Sequence, residues 1–460
     1  MRYSPLFGVW VFLYCGFAAF PSQASPNILL IYVDDLGYGD LGSFGHPVIK
    51  TPSLDQLAEE GLSLRNYYAS SGLCSPSRAA LLTGRLPYRT GIKSWIPEAS
   101  GVFLKTSEIT LAELLLEQNY QTALVGKWHL NSSLENKKEP QPKDHGFQHA
   151  FGHNAFQIPT NKNPTNLYRN GKHVQNVEGY TADLFADEAI SWLEKRNPKQ
   201  PFFLFFSMAE PHTTIENPAE YNAMYADYTQ GEVVPIPSGE VEPPKHKLIP
   251  RGPGEYYANV TYMDHQIGRV LSALDDLDLT ENTVVIFTSD NGPVTSNWIN
   301  WWEVNAYGST GGLRGRKHLL YEGGIKVPAI VRFPGVTRPG SETNELVVGT
   351  DWFVTLANMV GAEVPTDRMI DGIDVSGVFL GQSLEERTLF WSLDAVSNLE
   401  HVVRRGRWKL FLDREGNPQE LYDLQSDPLE FFNVVTERKK IRQDLRQAFD
   451  AYYSSISDGH

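Results

Sequence analysis

The sequence predicts an α/β fold in which a large, doubly wound mixed sheet is sandwiched by helices, with a smaller C-terminal subdomain of antiparallel sheet plus helix. Apolar runs of strand length alternate with amphipathic helical segments between residues 27 and 289, and polar pairs follow several of these runs. After about Gly381 the pattern changes to short alternating runs, which are typical of an antiparallel sheet. We therefore expect an α/β domain over residues 25–380 and a subdomain over residues 381–460.

Each element follows from its local pattern. The first strand, Asn27 to Val33, is an apolar run that ends at Asp34-Asp35. The other predicted elements of the α/β domain are helices at Leu54 to Glu60 and Leu111 to Gln118, a strand at Thr122 to Val125, a helix at Ala182 to Lys195, a strand at Phe202 to Ser207, a helix at Tyr256 to Leu277 and a strand at Thr283 to Ser289. Those of the subdomain are strands at Thr388 to Trp391, His401 to Arg404, Trp408 to Leu412 and Glu420 to Leu424, and a helix at Glu437 to Ser454. Thr229 to Glu255 is rich in Pro and Gly, which indicates a long surface excursion.

The polar pairs place the functional site. In a doubly wound sheet the ligand lies beyond the carboxyl ends of the strands. The polar residues found there are Asp34-Asp35, Lys127, His129, Glu210, His212 and Asp290-Asn291.

Composition excludes several classes of protein. The 460 residues are 41% hydrophobic and 21% charged, which excludes disorder, a collagen-like chain and a coiled coil. Lys+Arg 40 against Asp+Glu 55 gives a net charge of −15, the wrong sign for a nucleic-acid partner. An anionic substrate would need a local cluster of positive groups.

The N-terminus predicts export. Arg2 precedes an apolar run from Leu6 to Phe20, and Ser22-Gln23-Ala24 resembles a cleavage site, so residues 1–24 are predicted to be a signal peptide. The alternative, a membrane anchor, needs about 20 apolar residues, and neither this run nor a later one is long enough. We expect a periplasmic or secreted protein without stable membrane insertion.

Cysteine usage agrees with a bacterial exported enzyme. Cys15 leaves with the signal peptide, so the mature chain keeps Cys74 alone and forms no internal disulfide. Two glycosylation sequons, at Asn131 and Asn259, weakly favour the alternative, a lysosomal enzyme.

The segment from Leu73 to Arg85 carries the strongest chemical signal. Ser75 is a plausible N-cap and Pro76 suits the first helical position, so Cys74 and Arg78 would lie at a helix N-terminus, which favours anions. The competing interpretation is a buried structural cysteine before an ordinary helix.

Two other pairs indicate a metal. Asp34, Asp35, Asp290 and Asn291 supply hard oxygen ligands from two strand ends, which suits Ca²⁺ better than a transition metal. The competing interpretation is that they are caps and turn residues.

Five motifs, in family order, resemble the formylglycine-dependent (type I) sulfatases of the alkaline phosphatase superfamily. They are Cys74-x-Pro76-x-Arg78 with Thr83-Gly84-Arg85, Tyr120 to His129, Asp34 to Asp40, Thr288 to Gly292, and Leu313 to Lys317 with Tyr321 to Gly324. The resemblance continues to about residue 435 and is closest to the branch with N-acetylgalactosamine-6-sulfatases, arylsulfatase A and marine polysaccharide sulfatases. Asn119 and Asn131 depart from common glycines, and around Glu210-Pro211 only His212 is retained.

The resemblance implies the chemistry. A maturation enzyme converts Cys74 to Cα-formylglycine, and the hydrate of this aldehyde attacks sulfur. The side chain at position 74, Cys74 before its conversion, also belongs to the Ca²⁺ site, whose other ligands are Asp34, Asp35, Asp290 and Asn291. Arg78, Lys127 and Lys317 neutralise the sulfate, His212 protonates the leaving oxygen and His129 takes a proton from the hydrate.

Substrate assignment is less direct. Export suggests an extracellular polymer or its oligosaccharides. Together with the family resemblance, this implies a sulfated carbohydrate, such as carrageenan or glycosaminoglycan. The aromatic faces of Trp301 and Trp302 suit sugar rings, and His318 and His153 are further candidates for sugar contact. Two alternatives remain: a phosphatase, phosphonate or phosphodiester hydrolase of the same superfold, and a catalytically dead binder of sulfated glycans.

Overall fold

Alternating strands and helices build the molecule, for which a computed structural model describes residues 25–457 apart from 156–157, 159, 213, 232, 237–244, 249–251, 295–303 and 395–397. The strands are β1 (Asn27–Val33), β2 (Leu62–Leu64), β3 (Tyr67–Tyr68), β4 (Gln121–Gly126), β5 (His149–Gly152), β6 (Tyr168–Arg169), β7 (Lys172–His173), β8 (Phe202–Ser207), β9 (Val233–Ile236), β10 (Lys245–Leu248), β11 (Thr283–Ser289), β12 (Ala329–Arg332), β13 (Ser341–Thr343), β14 (Val347–Val348), β15 (Thr388–Ser392), β16 (Leu399–Arg405), β17 (Trp408–Asp413) and β18 (Pro418–Asp423). The α-helices are α1 (Pro52–Glu60), α2 (Cys74–Thr83), α3 (Pro87–Thr90), α4 (Leu111–Glu117), α5 (Thr181–Lys195), α6 (Ala219–Ala223), α7 (Gly254–Asp276), α8 (Glu322–Ile325), α9 (Asp351–Val360), α10 (Ser376–Phe379) and α11 (Lys439–Ser457).

The large sheet has ten strands in the order β13-β2-β12-β11-β1-β8-β4-β5-β6-β7. The five central strands, β11, β1, β8, β4 and β5, run parallel, whereas β12 joins β11 in the antiparallel sense. The carboxyl ends of the parallel strands therefore meet at one edge of the sheet, as the doubly wound prediction requires.

Helices cover both faces of this sheet. Successive side chains of a strand point to opposite faces, so Leu30 of β1 packs with α2, α4 and α9, while Ile31 packs with α1, α5 and α7. The prediction of a sheet sandwiched by helices is confirmed.

A second, antiparallel sheet has the order β15-β16-β17-β18. One face packs against α11, where Leu410 meets Phe449, and the other packs against the segment before α8, where Phe411 meets Tyr321. The predicted C-terminal sheet and helix are thus present; the boundary at residue 380 stays a prediction.

Most predicted elements lie within three residues of their expected ends, but the expected start of α2 was wrong. Helix α2 begins at Cys74 with Leu73 in the N-cap position, so Ser75 is not the cap and Pro76 is not the first helical residue. Ser75 Oγ instead accepts a hydrogen bond from Ile96 N at 3.1 Å. The excursion from Thr229 to Glu255 also contains the β9–β10 hairpin.

Both sequon asparagines are fully buried. Asn131 donates to the carbonyl of Pro140 at 3.0 Å, and Asn259, within α7, donates to Asn217 Oδ1 at 2.7 Å. No helix among the described residues has the length and apolar character needed to cross a membrane.

Candidate active site

The site forms where the central parallel strands end. Asp34 and Asp35 follow β1, Lys127 follows β4, and Asp290 and Asn291 follow β11. Because β1 and β11 are neighbours in the sheet, residues more than 250 positions apart are brought into contact. Asp290 Oδ1 accepts the backbone N–H of Asp35 at 3.1 Å, and Asn291 Nδ2 donates to Asp35 Oδ1 at 2.7 Å.

The carboxylates are arranged as a cation site would require. One ligand atom each from Asp34, Asp35, Cys74 and Asp290 lie within 4.8 Å of one another, and all four residues are buried. Asp34 Oδ1, Asp35 Oδ2 and Asn291 Oδ1 are buried without a hydrogen-bond partner among the described residues. Buried carboxylate and amide oxygens without partners fit Ca²⁺, a hard cation that prefers oxygen ligands.

Arg78 reaches this cluster from the second turn of α2. Its Nη2 donates to Asp290 Oδ2 at 2.8 Å, its Nε donates to the same oxygen at 3.1 Å, and its Nη1 donates to Ser207 Oγ at 2.6 Å. The guanidinium also lies 5.2 Å from the ring centroid of Tyr32. Burial opposes its charge, but the carboxylates of Asp290 and Asp34 outweigh burial and raise the pKa of Arg78.

Two lysines complete a cationic set around the three carboxylates. Lys127 pairs with Asp34 Oδ2, and Lys317 Nζ lies 2.6 Å from Asp35 Oδ1 and 3.2 Å from Cys74 Sγ. Burial raises the pKa of Asp34, but Lys127, His212 and Arg78 outweigh it and hold that pKa well below its ordinary value. Burial and Asp34 raise the pKa of Asp290 to about 7, which a bound cation would oppose.

Cys74 is the first residue of α2 and is 2% exposed. Burial raises the pKa of its thiol to about 12, against the attraction of Lys127 and Lys317. A thiol with so high a pKa is a poor nucleophile at neutral pH, so Cys74 is not equipped to act as a thiolate.

The two predicted proton-transfer histidines lie in loops that follow different strands, His129 after β4 and His212 after β8. His129 Nε2 lies 3.1 Å from the carbonyl of Ile96, which can only accept, so the ring proton is on Nε2 and Nδ1 is free of a proton. Burial, Lys127 and Arg78 lower the pKa of His129 well below its ordinary value.

His212 lies beside Asp35, with Nε2 3.6 Å from Asp35 Oδ2, and is 9% exposed. Burial lowers its pKa to about 4, against the attraction of Asp34 and Asp35. The negative charge of a bound ester would raise that pKa again.

Two of the four predicted sugar-contact residues, His318 and His153, lie among the described residues. His318 follows Lys317 at a positive φ of 73° and is partly buried. His153 is fully buried and stacks on Phe185 at 5.7 Å between ring centroids. Trp301 and Trp302 lie outside the described residues, so all four sugar contacts stay predictions.

Sequence reasoning missed two residues that shape the site. Ser207 Oγ accepts a hydrogen bond from Arg78 Nη1 and donates one to the carbonyl of Lys127 at 2.7 Å. The sequence offered one signal for Ser207, its position as the polar residue that ends an apolar strand. Ile96 bonds to both Ser75 and His129 through its backbone, which gives no sequence signal at all.

Three cationic side chains and the N-terminus of α2 around a carboxylate cluster are the features of a hydrolase that acts on an anionic ester. The family described as Sulfatase matches residues 26–362, and the family described as N-sulphoglucosamine sulphohydrolase, C-terminal, matches residues 315–454. The chain belongs to the sulfatase family and is a sulfuric ester hydrolase. This family is generally formylglycine-dependent and calcium-binding.

Curated relatives agree with this assignment. Arylsulfatase A of Bos taurus is 32% identical over 96% of this chain and 89% of that protein. N-acetylgalactosamine-6-sulfatase of Canis lupus familiaris is 32% identical over 82% of this chain and 70% of that protein. Among solved structures, Ps i-CgsB in complex with k-i-k-neocarrahexaose superposes with a TM-score of 0.80, at 26% identity and covering 94% of each chain.

Proposed function

We propose that this sulfatase hydrolyses sulfate esters of a sulfated carbohydrate, and that position 74 supplies the nucleophile after conversion of Cys74 to Cα-formylglycine by a maturation enzyme. The observation that carries this proposal is the position of Cys74 Sγ, which is in contact with Lys317 and belongs to the cluster of Asp34, Asp35 and Asp290. The unmodified thiol is unsuited to the reaction because burial raises its pKa to about 12.

The carboxylate cluster is the proposed Ca²⁺ site. Asp34, Asp35, Asp290 and Asn291 would hold the ion, together with the modified side chain of residue 74. Bound Ca²⁺ would supply Lewis-acid stabilisation of a sulfate oxygen and of the hydrated aldehyde.

The cationic side chains bind the sulfate group. Arg78, Lys127 and Lys317 are buried donors of hydrogen bonds, held in place by carboxylates before a substrate arrives. In a site from which water is excluded, such preorganised donors stabilise the charge that develops on the sulfate oxygens as the S–O ester bond breaks.

The histidines move the protons. When the S–O ester bond breaks, the sugar oxygen takes a proton, and His212 is the proposed donor because it lies at the exposed side of the cluster, beside Asp35. His129 is the proposed acceptor of a proton at position 74, because its Nδ1 is unprotonated and its pKa is held low.

A carbohydrate substrate is supported by the relatives. The curated relatives include enzymes named for N-acetylgalactosamine 6-sulfate, and Ps i-CgsB was solved with a neocarrahexaose. The first test is turnover of a panel of defined carrageenan and glycosaminoglycan oligosaccharides, with sulfate release and product position followed by NMR. We expect desulfation at one ring position, no turnover of matched phosphate esters, and no turnover by Cys74→Ala. Preference for phosphate esters, or binding without turnover by the matured enzyme, would contradict the proposal.

The second test concerns position 74. Enzyme made with a maturation system should show, by peptide mass spectrometry, the mass loss that accompanies replacement of a thiol by an aldehyde. Full activity in enzyme with an unmodified thiol would contradict the mechanism.

We also propose export to the periplasm or medium, based on residues 1–24, which lie outside the described residues. N-terminal sequencing of the exported enzyme should begin at Ser25, and retention of Met1 would contradict cleavage.

A further inference from the structure

Arg316 is a buried arginine that the proposed reaction does not use. It is 8% exposed, and no carboxylate among the described residues lies within ion-pair distance of it. Burial lowers the pKa of its guanidinium, with partial compensation from Asp40. Since a buried cation without an ion pair is costly, its hydrogen bonds need an explanation.

All of these hydrogen bonds go to backbone carbonyls. Nε donates to Val294 at 3.0 Å, Nη1 donates to Gly308 at 2.8 Å, and Nη2 donates to Ala306 at 2.6 Å and also to Gly308. A single planar guanidinium thus joins the segment that follows Asp290-Asn291 to residues 304–308.

Gly308 permits this approach. A Cβ atom there would lie 2.5 Å from Pro293 Cβ and 2.8 Å from Tyr256 Oη, so only glycine fits against these neighbours. The residue after it is fixed as well, because Ser309 N donates to buried Asp40 at 2.7 Å. Residues 304–308 are therefore held from several sides.

Residues 304–308 connect Lys317, a proposed sulfate-binding residue, with His212, the proposed acid. On one side, Arg316 directly precedes Lys317, whose backbone N–H donates to Pro293 at 3.0 Å. On the other side, Asn305 Nδ2 donates to the carbonyl of Pro211, the residue before His212, at 2.5 Å. Hydrogen bonds and short stretches of chain thus link Lys317 to His212. Arg316, next to Lys317, donates to the carbonyls of residues 306 and 308, and Asn305 of the same segment donates to the carbonyl next to His212.

We propose that Arg316 and Asn305 are positioning residues that set His212 relative to Lys317 and so govern protonation of the leaving oxygen. The inference rests on the proposed role of His212 as the acid. A group that helps protonate the leaving oxygen matters most when the leaving alcohol is a poor one. Sugar alcohols depart poorly as anions, whereas nitrophenolate departs without help.

The test measures kcat/KM on a series of aryl and alkyl sulfates whose parent alcohols span a wide range of acidity. Arg316→Met and Asn305→Ala should each lose about 10-fold to 100-fold on alkyl sulfates, as a misplaced group does, and several-fold at most on nitrophenyl sulfate. The dependence on leaving-group acidity should therefore become steeper. Arg316→Lys keeps the charge and one donor group, so its loss should be intermediate.

Two comparisons separate positioning from stability. Arg332 is also 8% exposed, but it lies on β12, outside the segments that link Lys317 to His212. Arg332→Met should change the melting temperature without changing the dependence of kcat/KM on leaving-group acidity. In an His212→Asn background, Arg316→Met should have little further effect on alkyl sulfates, because both act through one proton transfer.

Equal losses on all leaving groups in both Arg316→Lys and Asn305→Ala, or full additivity with His212→Asn, would overturn the inference. If His212→Asn itself does not steepen the dependence of kcat/KM on leaving-group acidity, the assignment of His212 as the acid in the proposed function fails. That result is distinct from failure of the positioning inference. The Arg316→Lys and Asn305→Ala variants keep the test decisive if Arg316→Met does not fold.

Discussion

Lys127 and Lys317 each neutralise one carboxylate of the site while remaining next to the proposed sulfate position. Their ion pairs with Asp34 and Asp35 are buried, so both ammonium groups are fixed before a substrate arrives. This arrangement makes them part of sulfate chemistry and not of sugar recognition.

Replacing either lysine should therefore affect every sulfate ester alike. Lys127→Ala and Lys317→Ala are expected to lower kcat/KM by about 10²–10³ on oligosaccharide and on nitrophenyl sulfate, as for loss of one preorganised donor. Lys199→Ala, at an exposed lysine, is the control and should be neutral. A loss confined to the oligosaccharide would show that the lysine binds the sugar.

Metal removal is the second prediction at this scale. A chelator should abolish turnover and Ca²⁺ should restore it, because Asp34, Asp35 and Asn291 have buried oxygens that accept no hydrogen bond from the described residues. The melting temperature should fall only slightly, since Lys127 and Lys317 already neutralise Asp34 and Asp35. Activity assays and thermal melts of chelated and reconstituted enzyme check both, and restoration by Zn²⁺ but not Ca²⁺ would favour phosphatase-like chemistry.

Among the elements, β17 connects the small sheet to the segment that carries Lys317. Lys409 of β17 is fully buried and pairs with Glu322, the first residue of α8, at 2.9 Å and with Glu430 at 2.8 Å. Burial opposes ionisation of Glu322, but Lys409 and Arg404 outweigh it and lower the pKa of Glu322 to about 2. The small sheet thus holds α8 in place, five residues beyond Lys317.

Lys409→Met should destabilise the protein by about 3–5 kcal/mol, because it leaves buried carboxylates without their cation. Burial already raises the pKa of Glu430 to about 7 against the attraction of Lys409, and Lys409 is the largest charge that lowers the pKa of Glu322, so removing it should raise the folded-state pKa of both carboxylates. A raised folded-state pKa gives stability at low pH that is lost as pH rises. The variant's deficit should therefore be smaller at about pH 5 than at about pH 8 in urea unfolding. Adding Glu430→Gln should recover part of the loss, and a deficit independent of pH would contradict this account.

At this scale the sequence predicts some elements well and misses others for a physical reason. Strands β1, β8 and β11 are buried on both faces, so their apolar runs are unmistakable. Strands β6 and β7 have two residues each; β6 forms by pairing with the edge of β5, and β7 forms by pairing with β6. Long-range pairing of this kind leaves no local pattern.

The residues of the candidate site were likewise predicted only in part from the sequence. Carboxylates at the ends of apolar strands were predictable from pattern, whereas the roles of Lys127, His129, His212 and Lys317 came from resemblance. Ser207, Ile96 and Arg316 were not predicted because each acts through a backbone group, its own or a neighbour's, that folding brings near, and no spacing in the sequence records such contacts.

Seen as a whole, the molecule carries a net charge of −15, yet its proposed substrate is anionic. The cationic groups of the site are buried among carboxylates, so they attract the substrate only at short range. Long-range repulsion should therefore slow the approach of a chain with several sulfates.

Moderate salt should consequently raise kcat/KM on a multiply sulfated oligosaccharide. The screening length falls from about 30 Å at 0.01 M to about 8 Å at 0.15 M ionic strength, which removes most of the repulsion. Nitrophenyl sulfate, with one charge, should respond much less. A steady fall in kcat/KM with salt on the oligosaccharide would instead reveal an attractive basic surface.

The burial of Asn131 and Asn259 has a practical consequence for the choice of expression host. A eukaryotic secretory pathway attaches N-glycans at Asn-x-Ser/Thr as the chain enters, and a glycan on Asn259 would have to be enclosed between α7 and its neighbours. Such a chain cannot complete its fold, so yeast or mammalian secretion should yield aggregated, glycosylated protein, whereas a host that leaves these asparagines bare should yield soluble enzyme. Ser133→Ala with Thr261→Val erases both acceptor triplets while keeping both asparagines, and it should rescue secretion from the glycosylating host. Soluble enzyme bearing a glycan at Asn259 would show that this part of α7 opens far enough to release it.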